Sequence, residues 1–171
     1  MRTIIFILVY IFILSTQATC QTTKDTRQKP KQIIVADTIV YLEDASTLLP
    51  NKTYILSKTV FIIDRHKLKK RSYRELKKLV AMLAAAPQLK IHIEGHVCCI
   101  KDATDALDID TYEPQLSVNR AYAVYKYLKL KGIGADRMTY SGAGHRRPLV
   151  AVEKSKEDAA ANRRVEMRVM K

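Results

Sequence analysis

Acidic residues are scarce in this chain: 17 Asp and Glu stand against 30 Lys and Arg, giving a formal charge of +13 at pH 7 and a calculated pI near 9.7. That imbalance points to a partner that is anionic or bears carboxylates. The sequence lacks an aromatic RNA platform, zinc-finger spacing and a basic recognition helix, so nucleic acid is not an expected partner. It has no internal repeat and no long low-complexity tract, which excludes repeat arrays. A length of 171 residues leaves no room for a second large domain. Hydrophobic residues nevertheless make up 47% of the chain and fall in periodic segments. Burial then outweighs the entropy of ordering, and a folded globule is expected.

The apolar run at residues 4–14 is short of the roughly 20 residues that a bilayer-spanning helix needs. It follows Arg2 and precedes the small, polar stretch Ser15, Thr16, Gln17, Ala18, Thr19, Cys20, so residues 1–20 read as a secretory signal peptide. Cleavage is expected after Ala18, or after Cys20 to leave Gln21 first, or before a lipidated Cys20. A lipoprotein signal normally has a large aliphatic residue three places before its cysteine and a very small one just before it. Gln17 and Thr19 occupy those places here. Contact with a membrane is expected only through such a lipid. Residues 21–32 are polar, carry Lys24, Arg27, Lys29, Lys31 and Pro30, and read as a linker.

In the remainder, residues 33–42 and 54–63 are β-branched and partly alternating, with Pro50 and Asn51 as a turn between them. Residues 33–53 therefore form an N-terminal extension with one strand. Ser72 and Glu75 have the spacing of a capping box, and Leu76, Leu79, Val80 and Leu83 recur at helical spacing until Pro87. Residues 89–96 alternate: Leu89, Ile91 and Ile93 face one way, Lys90, His92, Glu94 and His96 the other. Pro114 suits a first helical turn, and Ala121, Val124, Tyr125 and Leu128 make a stripe that ends before Gly132. Residues 138–141 and 164–170 read as two further strands. The expected fold is α+β: a two-layer α/β sandwich of order β-α-β-α-β-β, with both helices on one face of a mixed sheet.

The segment holding His92, Glu94, His96, Cys98 and Cys99 invites a metal reading. Same-side positions on a strand lie about 6.5–7 Å apart, and a tetrahedral site needs ligands returning from elsewhere, so neither metal nor cofactor is expected. Cysteine catalysis is not expected either, because no oriented base and no oxyanion-hole sequence accompany the thiols. In an oxidising compartment Cys98 and Cys99 are expected to be oxidised, to each other or with another chain, and Cys20 joins them only if it survives processing.

The run IHIEGHVCC, then LSVNRAYAVYKYLKLKGIGADRMTYSGAG, then NRRVEMRV resembles the OmpA-like family of peptidoglycan-binding domains over residues 54–171. The resemblance implies a periplasmic, outer-membrane-associated module. It would bind the diaminopimelate of peptidoglycan stem peptides without catalysis and anchor the outer membrane, or a partner such as another outer-membrane protein, to the wall. Arg120 matches the family arginine that holds a carboxylate. The family reads Gly, His, Thr, Asp where this chain has Gly95, His96, Val97 and Cys98, so the family aspartate is missing. The following loop carries Asp102, Asp105, Asp108 and Asp110, and Asp108 or Asp110 is expected to receive the ligand ammonium. Asn162 and Arg163 match positions beside the pocket, and His96 completes the expected set. The strand before the first helix, acidic and aromatic in the family, reads VFIID here. The rival expectation is a degenerate member that serves as a protein interaction scaffold without binding the wall.

Overall fold

The computed structural model describes residues 39–98 and 104–170. The signal, the linker, Cys20, Cys99 and residues 33–38 of the first expected strand lie outside them. Five strands form one mixed sheet: β1 (Ile39–Tyr41), β2 (Thr53–Ile55), β3 (Lys90–His96), β4 (Met138–Gly144) and β5 (Val165–Met170). Their order in space is β1-β2-β5-β3-β4. β1 runs parallel to β2 and β3 to β4, while β5 is antiparallel to both β2 and β3. The helices are α1 (Ser72–Ala85), α2 (Leu116–Leu130) and α3 (Lys156–Asn162).

The two long helices follow from their apolar spacing. Leu76, Leu79 and Leu83 of α1 and Ala121, Val124 and Leu128 of α2 are fully buried against Ile91 and Ile93 of β3 and Val165, Met167 and Val169 of β5. Each large aliphatic side chain so buried contributes about 1.5–3 kcal/mol relative to exposure. Pro87 lies just past the end of α1, as expected, and α2 begins two residues after Pro114.

Three expectations need correction. The strand read at residues 54–63 is confined to Thr53–Ile55. Beyond it the chain makes a hairpin, in which Phe61 bridges Leu68 and Lys69 N donates to Val60 O at 2.9 Å. Second, Ser72 and Glu75 are not a capping box. Ser72 Oγ donates to Val60 O and accepts from Val60 N, while Glu75 accepts from Thr59 Oγ1 at 2.8 Å. Both side chains fasten α1 to the hairpin, and the N-cap position falls to Arg71, one residue before Ser72. Third, a helix stands between β4 and β5. At Lys156–Asn162 it is too short to show a period, but its capping box is complete: Ser155 Oγ accepts from Asp158 N, and Asp158 accepts from Ser155 N.

Candidate binding site

The start of α2 is set by glycines and by one loop carboxylate. A Cβ on Gly95 would lie 2.0 Å from Ser117 O, and one on Gly142 would lie 2.1 Å from Ser117 Oγ. Only bare backbone on β3 and β4 lets the helix come this close. Gln115 at the helix N-cap makes no side-chain bond. Asp105 does that work from the preceding loop, accepting Ser117 N at 3.1 Å and Ser117 Oγ at 2.5 Å. One turn further on stands Arg120.

Arg120 is only 5% exposed. Its Nε donates to Arg65 O at 3.2 Å and its guanidinium lies 5.2 Å from the centre of the Phe61 ring. The two Nη groups make no hydrogen bond within the described residues. Burial lowers its pKa to about 10, and Arg163 adds to this, while Asp64, Asp108 and Asp105 oppose it. The group is therefore a desolvated cation at neutral pH with donors to spare. It borders a cavity of about 760 Å³, whose wall includes Phe61, Asp64, Val97, Cys98 and Arg163. Asp64 is exposed and has a left-handed φ of 52°.

Of the acids expected to receive an ammonium, Asp108 is fully buried and already used. It takes His66 Nδ1 at 2.6 Å, Asn119 Nδ2 at 2.8 Å and Asp110 N at 3.0 Å. Burial raises its pKa, but the Asn119, Asp110 N–H and His66 hydrogen bonds outweigh this and hold it below the usual range. Asp110 pairs with Arg65. Neither lines the cavity, because each is closed off by partners from the 61–68 hairpin. Asn162 also points elsewhere. Its amide accepts from Leu149 N and Val150 N and donates to Val150 O and Glu153, pinning the loop before α3. Arg163 does line the cavity and donates to Cys98 Sγ at 3.0 Å. Cys98 is disulfide-bonded.

His96 lies in a different neighbourhood, on the far face of the sheet. Its Nε2 is 3.2 Å from Glu94 and 3.7 Å from Glu166, without hydrogen-bond alignment. Arg147 binds Glu94 at 2.6 Å and Arg164 binds Glu166 at 2.6 Å. Glu94, His96 and Glu166 converge closely enough for a cation, as do His66, Asp108 and Asp110. In the first group, however, two guanidiniums already balance the two carboxylates, and in the second Asp108 already accepts three hydrogen bonds. Burial alone would raise the Glu166 pKa, yet His96 and Arg164 hold it down to about 2 against an ordinary 4.5. The charged form thus stabilises the fold, fully above about pH 4.5, and this contribution disappears as pH falls toward 2. The thermal midpoint is expected to drop across that window, and Glu166→Gln to flatten the drop while lowering stability at neutral pH. A wild-type midpoint that holds constant from about pH 5 to about pH 2 would contradict this.

Asp64 escaped the sequence reading although its signal was visible. It closes the VFIID segment, but its approach to Arg120 depends on a hairpin that alternation misread as a strand.

A mixed sheet covered by two long helices, with a buried arginine on a large cavity, defines an α+β domain with a charged recess at the start of its second long helix. The chain belongs to the OmpA family, whose model matches residues 60–163. Outer membrane porin F of Pseudomonas aeruginosa is 36% identical over 110 residues, which are 64% of this chain and 29% of that protein. Outer membrane protein A of Bordetella avium is 35% identical over 113 residues, 66% of this chain and 54% of its own length. The chain thus spans under a third of porin F. The peptidoglycan-associated lipoprotein of Burkholderia pseudomallei superposes with a TM-score of 0.53 at 25% identity, covering 66% of this chain and 88% of that one. A MotB-like protein of Desulfovibrio vulgaris gives 0.56 at 25% identity, covering 67% and 68%.

Proposed function

We propose that this domain binds the peptide stem of peptidoglycan non-covalently through its diaminopimelate, in the periplasm after export, and ties the outer membrane or a protein attached to it to the wall. The observation that carries the reading is Arg120: a buried guanidinium beside an open cavity, whose two Nη groups have no hydrogen-bond partner among the described residues. A carboxylate entering the cavity meets a planar fork that suits it, and charge-assisted hydrogen bonds of this kind are worth about 1.5–3 kcal/mol each. Asp64, across the cavity, takes the ligand ammonium in place of the family aspartate that Cys98 replaces. The likeness to a lipoprotein named for its association with peptidoglycan supports peptidoglycan as the partner.

The test is co-sedimentation of the purified chain with isolated sacculi, with free diaminopimelate as competitor. The chain should pellet and diaminopimelate should release it; a chain that stays in the supernatant refutes the reading. Asp64→Asn should weaken binding by about tenfold or more, equivalent to about 1.4 kcal/mol. Unchanged affinity would remove Asp64 from the role. One observation favours the scaffold reading: a disulfide-bonded cysteine stands where the family has its acid. On that reading sedimentation fails although the fold is intact.

A further inference from the structure

The segment from the hairpin into α1 carries Lys67, Lys69, Lys70, Arg71, Arg74 and Lys77, all exposed. None forms an ion pair with a described residue. The acid within this stretch, Glu75, is buried and bonded to Thr59, so the surface has no negative charge of its own. Fold stability does not account for this arrangement. Lys69, Lys70, Arg71 and Arg74 crowd the N-terminal end of α1, where the helix dipole already concentrates positive charge. Arg74 and Lys77 also repel along one helix face. Two of these cations, Lys69 and Arg71, line the cavity that holds Arg120, so the basic surface begins at the mouth of the site.

Resting on the peptidoglycan reading, we infer that this basic face is a second contact surface for the wall polymer, engaging carboxylates of stem peptides next to the one held in the cavity. The stem in the cavity is one of many on a continuous polymer, and each carries free carboxylates, so an extended cationic strip beside the mouth meets a complementary array. Charge complementarity and continuity with the cavity favour this occupant over a lipid surface. The cavity supplies recognition, and the strip supplies electrostatic attraction that salt screens.

The test compares wild-type chain with a variant carrying Lys67→Gln, Lys70→Gln, Arg74→Gln and Lys77→Gln, which leaves the cavity wall untouched. Three ligands are used: intact sacculi, a soluble single stem peptide, and phosphatidylglycerol vesicles. The variant should bind sacculi about tenfold more weakly at low ionic strength and lose most of the salt dependence, while its affinity for the single stem peptide stays the same. Its heat stability should equal or exceed wild type, since cations leave a helix N-terminus, and this excludes misfolding as the cause. Equal sacculus binding with an equal salt slope would overturn the inference. So would wild-type chain binding the vesicles more tightly than sacculi through these residues. Failure of the wild type to bind the single stem peptide would instead overturn the reading of the cavity.

Discussion

Arg120→Ala is expected to abolish retention on purified peptidoglycan while leaving the circular dichroism spectrum unchanged. Of the two buried guanidiniums that line the cavity, Arg164 is committed to Glu166 and Arg147 O, so the truncation removes the one left for a ligand, and at least a hundredfold loss is expected, about 2.7 kcal/mol. The fold should tolerate the change. Among the described residues, Arg120 spends its Nε on Arg65 O and its face on Phe61, and no more. Relieving a desolvated cation offsets much of that loss. Arg120→Lys should fail nearly as badly, because a point charge on a flexible stem does not reproduce the fork. Full retention of binding by Arg120→Ala would sink the assignment, whatever the chain does elsewhere.

Gly95→Ala is expected to lower stability strongly although it adds a single methyl group. Its Cβ would stand 2.0 Å from Ser117 O and 2.9 Å from Ser117 C, both backbone atoms at the start of α2. No side chain can swing aside to make room; the helix itself must move. Overpacking of this kind costs about 1–3 kcal/mol, and the backbone obstacle places this case at about 3 or above. A lowered urea midpoint should therefore be accompanied by weaker peptidoglycan binding, although Gly95 touches no ligand. The displaced helix carries Arg120 one turn further along. An unaltered midpoint would mean that the close approach of α2 to β3 matters little.

The parts of this fold that could be read from the sequence are those in which one segment carries its own signal. The apolar spacing of α1 and α2 and the alternation of β3 and β5 each arise within a single run of residues, and each element is found where its pattern placed it. The place of Arg120 near the start of α2 was legible for a related reason, since its motif sits within one helix. Legibility fails where two distant segments decide the outcome together. Ser72 and Glu75 have ideal cap spacing, but a hairpin a dozen or more residues away offers them better partners. Asp108 looked like a free loop acid until His66, which is 42 positions earlier in the chain, closed over it. Asp64 stands at the mouth because the same hairpin carries it there. α3 was missed for a simpler reason: seven residues give no room for a period to repeat.

The topology has one more consequence. β5, the last of the described strands, lies in the middle of the sheet, between β2 and β3, and supplies both of them with their antiparallel partner. Until residues 165–170 are available, the two halves of the sheet have nothing to join them, and the hydrophobic layer beneath cannot close. During synthesis the sheet therefore cannot close before β5 has emerged.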